Sequence, residues 1–395
     1  VGGTLRDVLL HKPVVDIDIA TAGNQTEAIQ AWARDIGGRW FWLDEDRGQS
    51  RVLTSARLTV DFTPLRAPTI DADLYLRDFS VNALALSLND ELTDVNLHDP
   101  LDGQVDLQKQ VLRFCSERSL IDDPLRMLKG IRHAVTLPLV LNEESLQSIK
   151  QHAGLINNVA GERIHEELGK ILSSPKPVDG FRLLAQSGLL KELLGESKSD
   201  FAAESCFADL ASLQQRLNNI EFTTDTESAV ADPFDSRALF LFATFLRSYT
   251  CSDLTELLHD KLRMSRQQER IILSLQQAPA SQWFDQARQA TGAREKALLV
   301  EQLGYFPDEQ LLYWIAYSQQ LSLETGRDLL TAFYQYQRLG RVPDLLSGHK
   351  VKELLPGQQE KEIGTWQQQI KAAELDKQIA SQDEALKWLQ QQISN

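Results

Sequence analysis

Two aspartates, Asp16 and Asp18, alternate with apolar residues in the stretch VVDIDIA, and this pattern constrains the fold more than any other. The composition of the stretch predicts a strand, in which residues i and i+2 face the same side. The two carboxylates should therefore project together, while Val15, Ile17 and Ile19 face the opposite side and supply core. Carboxylates held this close repel each other unless a cation lies between them. Oxygen ligands of this kind suit Mg²⁺, which also takes phosphate oxygens and water.

A third aspartate, Asp61, lies in another apolar run, LTVDFT, where an unpaired charge would be costly. Three aspartates on adjacent strands are an arrangement used for two-metal phosphoryl or nucleotidyl transfer, in which one metal activates the attacking hydroxyl and the other neutralises the phosphates. A lone D-x-D can also simply mark a strand edge beside a turn. The residues that precede it decide between these two interpretations.

The aspartates follow a glycine pair, Gly2-Gly3, and a stretch of helical character, Thr4–Leu10. Free backbone N–H groups at such a turn, together with the positive end of a helix, can receive a triphosphate. Arg6 lies one turn into this helix, where its guanidinium could donate two hydrogen bonds to a phosphate. The combination favours a magnesium-dependent reaction on a nucleoside triphosphate.

The chain changes character at about residue 115. Before it, strand-like runs alternate with short helices, and after residue 120 almost everything has helical periodicity. The predicted strands are Val14–Ala20, Arg39–Leu43, Gln49–Thr54 and Arg57–Thr63, with a helix at Thr26–Ile36. Glu196–Asp200 and Thr223–Pro233 are predicted loops. We therefore expect an α+β fold, with a small mixed-sheet head followed by an elongated all-α body.

Composition narrows the class of protein. The 395 residues suffice for two or more domains, and the longest apolar run, Ala238–Leu246, is too short to span a bilayer. Cys115, Cys206 and Cys251 lack metal-like spacing, which favours a reducing, cytoplasmic location and no membrane partner. The net charge of −15 argues against broad coating of nucleic acid but allows a local basic groove.

Five motifs follow one another in the first 172 residues: GG-x-x-RD-x-LL with DID, RDFSVNA at Arg77–Ala83, HDPLDG with Asp106-Leu107, DDPLRMLKGIR at Asp122–Arg132, and GERIHEELGKIL at Gly161–Leu172. In this order they resemble the tRNA nucleotidyltransferase/poly(A) polymerase family, and in particular bacterial-type class II CCA-adding enzymes of the polymerase-β-like superfamily. The resemblance implies a nucleotidyltransferase head over residues 1–115, nucleotide-recognition neck helices over 116–180, and an RNA-binding helical body and tail over 181–395.

The resemblance also implies roles for individual residues. Asp16 and Asp18 would hold Mg²⁺, with Asp61 as the third catalytic carboxylate. The residues implied to contact the incoming nucleotide are Gly2, Gly3, Arg6, Arg77, Asn82, Asp123, Arg126, Lys129 and Arg132. Asp123 and Arg126 resemble the family's base-reading pair, whose fixed acceptors and donors accept C and A and refuse G and U. Without the other motifs, the same segment would be interpreted as an ordinary helix start followed by a solvated basic face.

Arginines further along the chain are candidates for RNA contact. They are Arg163, Arg263, Arg266 and Arg270, the last three being spaced at three and four along one predicted helical face. A solvated or internally salt-bridged face is the alternative. In the resembling family, this part of the chain grips the acceptor arm of tRNA.

The sequence thus predicts a Mg²⁺-dependent, template-independent nucleotidyltransferase that adds C and/or A from CTP and ATP to the 3′ end of tRNA. Specialised CC-adding or A-adding enzymes, a poly(A) polymerase and, from another class, a non-catalytic RNA-binding relative remain alternatives. Only fifteen residues, Phe62–Leu76, separate Asp61 from Arg77. Full CCA-adding members carry a longer flexible loop here, so this segment resembles the CC-adding or otherwise specialised branches. The sequence does not indicate an oligomeric state.

Overall fold

The computed structural model describes residues 1–56, 58–88, 97–195, 202–219, 235–248, 254–339, 344–355 and 360–394. The two predicted loops, Glu196–Asp200 and Thr223–Pro233, lie outside the described residues. The described residues form two compact units. The first holds those within Val1–Ala208, Glu227–Ala238 and Ser248–Met264, and the second holds those within Asp209–Thr226, Leu239–Arg247 and Ser265–Asn395.

A four-stranded mixed sheet forms the centre of the head. Its strands are β1 (Asp16–Thr21), β2 (Arg39–Asp44), β3 (Gln49–Leu53) and β4 (Thr59–Pro64), in the spatial order β1-β4-β3-β2. β1 runs parallel to β4, whereas the other two pairs are antiparallel. The predicted strands are confirmed to within two residues at each described end. Helix α1 (Gly3–Leu9) precedes β1, and α2 (Thr26–Asp35) connects β1 to β2.

One face of this sheet is apolar and packs against α2. Its core consists of Ile29, Ala33, Val52, Val60 and Phe62, with Ile17 and Ile19 partly buried against it. The expectation that Val15 also supplies core is wrong, because the strand begins only at Asp16 and the Val15 side chain is 63% exposed. Since strand residues alternate between faces, the opposite face is left for the charged residues.

The rest of the first unit is mostly helical. Its elements, apart from a Ser80–Asn82 3₁₀ turn, are α3 (Ile70–Leu74), β5 (Ala85–Leu86), β6 (Leu97–His98), α4 (Gly103–Gln108), β7 (Val111–Leu112), α5 (Arg118–Asp122), α6 (Arg126–Thr136), β8 (Val140–Leu141), α7 (Glu143–His152), α8 (Gly161–Leu172), α9 (Pro177–Gln186) and α10 (Leu189–Leu194). β5 pairs antiparallel with β6, and β7 pairs parallel with β8.

Helices then continue to the end of the described chain. They are α11 (Ala202–Leu217), α12 (Ser236–Ser248), α13 (Leu254–Glu256), α14 (Arg266–Gln276), α15 (Ser281–Gln289), α16 (Ala293–Glu301), α17 (Pro307–Ser318), α18 (Leu323–Leu339), α19 (Gly348–Leu354), α20 (Glu360–Leu375) and α21 (Gln382–Ser394). The expected α+β class, with a mixed-sheet head and a helical body, is confirmed. None of the helices in the described ranges has the length and apolarity needed to cross a membrane.

A late segment of the chain completes the first unit. The π-helical turn Leu257–Lys261 packs against the start of α8, and a Cβ on Gly161 would lie only 2.5 Å from the Lys261 carbonyl oxygen. The Lys261 ammonium donates a hydrogen bond to the Glu192 carbonyl oxygen at the end of α10. Leu258 and Leu262 of this segment are fully buried.

Candidate active site

The three predicted aspartates lie on the face of the sheet opposite α2. Asp18 of β1 is the register partner of Asp61 on β4, and Asp16 lies two residues before Asp18 on the same side. Parallel pairing of β1 with β4 therefore brings together carboxylates that are more than forty positions apart in the chain. The sequence predicted this cluster from alternation alone.

Electrostatics in the cluster favour a bound cation. Burial raises the pKa of the Asp18 carboxyl, and the neighbouring charges of Asp61 and Asp16 raise it further, while Arg77 opposes them. A carboxyl with a raised pKa is one whose negative charge is insufficiently compensated. Magnesium would supply that compensation, and an oxygen-only donor set suits it.

Asp61, however, is already engaged. Arg51, its register partner on β3, donates from Nε to Oδ1 at 2.7 Å and from Nη2 to Oδ2 at 2.8 Å. Consistently, within the described ranges no set of three His, Cys, Asp or Glu side chains is arranged as a ready-made metal site. The donors therefore fit Mg²⁺ as a pair, Asp16 and Asp18, which matches the one or two protein carboxylates that this ion commonly takes.

The glycine turn passes between a carboxylate and a guanidinium. Gly2 has a φ of 69°, and a Cβ there would lie 3.0 Å from Asp18 Oδ2 and 3.1 Å from Arg77 Nη1. Any larger residue would meet both strain and these two groups. The Thr4 hydroxyl accepts a hydrogen bond from the Asp18 N–H at 2.7 Å, which ties the start of α1 to β1.

A first cleft of about 430 Å³ opens beside Asp18. The predicted residues that line it are Gly2, Gly3, Arg6, Asp18, Arg77, Asn82 and Arg132. Arg6 is buried and donates from Nη1 to Asn82 Oδ1 at 2.8 Å, while Asp7 accepts from its Nε at 2.9 Å. The glycine turn and the RDFSVNA motif, seventy-six residues apart, thus meet in one cleft.

The HDPLDG motif supports this arrangement from behind, a role that the sequence analysis did not assign. Asp99 accepts hydrogen bonds from the Gly103 and Gln104 N–H groups at 2.6 and 3.0 Å and so caps α4. Asp106 accepts a hydrogen bond from the Ser80 hydroxyl. Gly103 itself packs against the Ser80 carbonyl, with no room for a side chain. The motif therefore fixes the Ser80–Asn82 turn.

A second cleft of about 830 Å³ adjoins the first, because Arg66, Arg77 and Asp78 line both. The predicted residues on its wall are Arg77, Asp123, Arg126, Lys129 and Arg163. α6 begins at Arg126 with Leu125 as its N-cap, so the ordinary helix-start interpretation with an aspartate cap is wrong. Asp123 lies in an extended conformation between α5 and α6, where its carboxylate faces this cleft.

The Arg126 side chain is held by backbone oxygens. Its Nη2 donates to the Leu76 carbonyl at 3.1 Å, and its Nη1 lies 3.3 Å from the carbonyl oxygens of Arg77 and Ser119. Arg163 Nη2 donates to Asp123 Oδ2 at 3.2 Å. The two putatively base-reading groups of the sequence prediction are thus oriented on one wall, with Arg163 as the present partner of Asp123.

Two basic residues of α6 belong to the clefts rather than to a solvated stripe. Lys129 lines the second cleft, and Arg132 lines the first and pairs through Nε with Glu167 Oε2 at 2.7 Å. The solvated-face interpretation of this helix is therefore wrong. Glu167 is itself buried, so α8 holds Arg132 in place.

The arginines from residue 263 onward do not share one helical face, as the sequence analysis had predicted. A capping box formed by Ser265 and Gln268 starts α14 at Arg266, and Arg263 lies before it with a φ of 51°. Arg263 instead approaches Glu162, with Nε 3.8 Å from Oε1. Only Arg266 and Arg270 lie on the same helix, and their contact with RNA stays a prediction.

His133 in the first cleft is a buried histidine that the sequence analysis missed. Burial lowers its pKa well below the usual value of 6.5, and the charges of Arg132 and Arg6 act in the same direction. Its ring packs edge-on against Phe79, with centroids 5.3 Å apart. The folded protein therefore keeps this imidazole neutral.

His133 should make stability fall as the pH drops below about 6.5. Below that value the unfolded chain binds a proton that the folded chain refuses, so the free energy of unfolding decreases by up to about 1.4 kcal/mol per pH unit. In His133→Phe this component is absent. Urea unfolding at pH 7.5, 6.5 and 5.5 measures the difference, with the exposed His11→Asn as a control that retains the wild-type slope. Equal slopes for wild type and His133→Phe would contradict the assignment.

Comparisons with known proteins agree with this geometry. Residues 1–113 match the family described as "Poly A polymerase head domain", and residues 139–200 match "Probable RNA and SrmB- binding site of polymerase A". A CC-adding tRNA nucleotidyltransferase of Geobacter sulfurreducens is 36% identical over 255 residues, which cover 62% of this chain and 58% of that protein. An A-adding tRNA nucleotidyltransferase of Deinococcus radiodurans is 39% identical over 201 residues, covering 50% and 44%.

The aligned parts thus span less than two thirds of these two relatives. Across almost the whole chain, the fold is similar to that of the Thermotoga maritima CCA-adding enzyme complexed with tRNA, with a TM-score of 0.67, 25% identity, and coverage of 98% of this chain and 90% of that one. The head and neck matches, the motif order and the common fold lead to one conclusion: this chain belongs to the tRNA nucleotidyltransferase/poly(A) polymerase family.

Proposed function

We propose that this protein is a Mg²⁺-dependent, template-independent nucleotidyltransferase that adds C and/or A from CTP and ATP to the 3′ end of tRNA in the cytoplasm. The observation that carries the proposal is the continuity of the two clefts. The paired carboxylates and arginines of the first cleft adjoin the Asp123–Arg126 wall of the second. One bound nucleotide can therefore place its phosphates in the first cleft and its base in the second.

In the reaction, the 3′ hydroxyl of the RNA attacks the α-phosphate in line, the bond to the β-phosphate breaks and pyrophosphate leaves. Mg²⁺ held by Asp16 and Asp18 would supply charge neutralisation of the phosphates and activation of the hydroxyl. Arg77, beside Asp18, donates hydrogen bonds to phosphate oxygens. Arg6, anchored by Asn82 and Asp7, keeps the glycine turn and the RDFSVNA turn in register.

The base is selected by groups that are already oriented. Arg126 is fixed by three carbonyl oxygens, so its guanidinium presents donors in one plane without reordering. The Asp123 carboxylate, on exchanging Arg163 for the base, accepts from the exocyclic amine that C and A carry and that U lacks. Unpaired buried polar groups penalise the wrong base.

The segment between β4 and Arg77 supports a specialised CC-adding activity as the second candidate. It folds back through α3, whose Leu74 is fully buried, and so forms a short anchored connection. The CC-adding relative from Geobacter sulfurreducens points the same way. A-adding and poly(A)-polymerising activities and RNA binding without catalysis are separated from it by the experiment below.

Incubation of the purified protein and Mg²⁺ with each labelled nucleoside triphosphate tests the proposal. The acceptors are tRNA lacking the whole CCA end, tRNA lacking only the final A, and an unstructured RNA. We expect C on the first acceptor, A on the second, or both, and no G or U. Long A tracts on unstructured RNA would indicate a poly(A) polymerase. RNA binding without any incorporation of C or A would overturn the proposal in favour of a non-catalytic relative.

A further inference from the structure

Asp73 is a buried aspartate that joins two arginines of the clefts. It lies on α3 and is 1% exposed. Its Oδ1 accepts hydrogen bonds from the Arg66 backbone N–H at 3.0 Å and from Arg66 Nε at 3.1 Å. Its Oδ2 accepts from Arg77 Nε at 3.2 Å and from Nη2 at 3.1 Å. One carboxylate thus holds both guanidiniums.

The held arginines keep donors available to a ligand. Both line the first and the second cleft, at the point where the two clefts adjoin. Among the described residues, neither terminal nitrogen of Arg66 nor Nη1 of Arg77 has a further hydrogen-bond acceptor. Arg77 Nη1 also faces the glycine turn beside Asp18. The free donors are therefore next to the paired carboxylates.

The charges at this point do not cancel. Two guanidiniums share one carboxylate, which leaves one excess positive charge in a partly enclosed cleft. Although burial by itself would raise the pKa of Asp73, the hydrogen bonds from Arg66 and the charge of Arg77 lower it, so the carboxylate stays ionised. An oriented pair of guanidiniums with excess positive charge matches a chain of phosphates.

We propose that Asp73 is a positioning residue that holds Arg66 and Arg77 as a paired donor set for the phosphates of the incoming nucleotide, and that Arg66 is itself a phosphate-binding residue. This inference rests on the proposed function, because it takes the nucleoside triphosphate as the ligand. It adds to the site two residues, Arg66 and Asp73, that no sequence motif above includes. It also gives the short connection after β4 a role in substrate binding.

Inorganic tripolyphosphate is the probe that tests it directly. Isothermal titration of the full chain should show tripolyphosphate binding that weakens about 10-fold or more in Arg66→Gln, since a hydrogen bond to a charged group contributes about 1.5–3 kcal/mol. In Asp73→Asn, the amide cannot accept on both sides, so both arginines lose their orientation. With CTP and ATP as substrates, both variants should raise KM about 10-fold or more and lower kcat much less.

Arg34→Gln is the matched control, because Arg34 is an exposed arginine of α2 outside both clefts. It should bind tripolyphosphate as the wild type does. Circular dichroism and thermal melting verify folding, and if Asp73→Asn does not fold, Arg66→Gln decides alone. Unchanged tripolyphosphate affinity and unchanged KM in folded Arg66→Gln would overturn the inference.

The two proposals fail in different ways. Wild-type protein that binds tripolyphosphate through Arg66 but incorporates no nucleotide would leave the phosphate site standing and remove the proposed activity. Wild-type protein that incorporates nucleotides, with Arg66→Gln equal to it in KM, would leave the activity standing and remove the phosphate site. A merely structural Asp73 would lower the melting temperature of Asp73→Asn without changing the KM of Arg66→Gln.

Discussion

Asp18→Asn is expected to lower the rate of nucleotide incorporation by at least about a thousandfold, which corresponds to roughly 4 kcal/mol of lost transition-state stabilisation. The amide keeps the shape of the side chain but removes half of the charge of the Asp16–Asp18 pair. Single-turnover incorporation of labelled CTP or ATP into tRNA lacking its 3′ end measures the loss. Binding of tRNA, measured by filter retention, should change by no more than about twofold, because it draws on basic groups elsewhere.

Asp35→Asn is the control for this variant. Asp35 is exposed at the end of α2, on the side of the sheet away from the aspartate cluster. Its replacement should leave incorporation at the wild-type rate. Retention of more than a tenth of the wild-type rate by folded Asp18→Asn would show that the paired carboxylates do not hold the metal.

Gly103→Ala is expected to reduce the free energy of unfolding by about 3 kcal/mol or more, at the upper end of the cost of overpacking. A Cβ on Gly103 would lie 2.3 Å from the Ser80 carbonyl oxygen and 3.0 Å from its carbon, and the backbone cannot yield as a flexible side chain can. The Ser80–Asn82 turn would have to move, and with it the acceptor of Arg6. Urea unfolding followed by tryptophan fluorescence measures the loss.

Gly154→Ala provides the comparison. Gly154 lies in the 3₁₀ turn Ala153–Asn158, and a Cβ there would meet nothing within 4 Å. The free energy of unfolding of this variant should stay within about 0.5 kcal/mol of the wild type, as for surface substitutions away from special features. Equal unfolding curves for the two alanine variants would contradict the packing described for Gly103.

The sheet and the aspartate cluster were predictable from the sequence because both follow from period-two alternation, which depends only on neighbouring residues. Asp16 and Asp18 share a side in any strand, whatever the strand pairs with. The pairing of Asp61 with Arg51 was not predictable, because it depends on the register of β3 against β4. Knowledge of that register changes the expected metal site from three carboxylates to two.

Side-chain contacts between distant segments account for most of the rest. Asp73 lies in an unremarkable short helix, and its importance appears only when the fold brings Arg66 and Arg77 to one carboxylate. The start of α14 is different, since Ser265 and Gln268 form the S-x-x-Q pattern of a capping box in plain sequence. That pattern was available and would have excluded Arg263 from the helix.

The close approach of Gly161 to the turn that follows Leu257 bears on how this protein is made. Because the first compact unit includes the described residues up to Met264, a ribosome must synthesise about two thirds of the polypeptide before that unit can close. A fragment cut after the last motif, near residue 200, would lack the segment that buries Leu258 and Leu262 and accepts the start of α8. Cleavage sites chosen to isolate the catalytic part should therefore lie beyond residue 264.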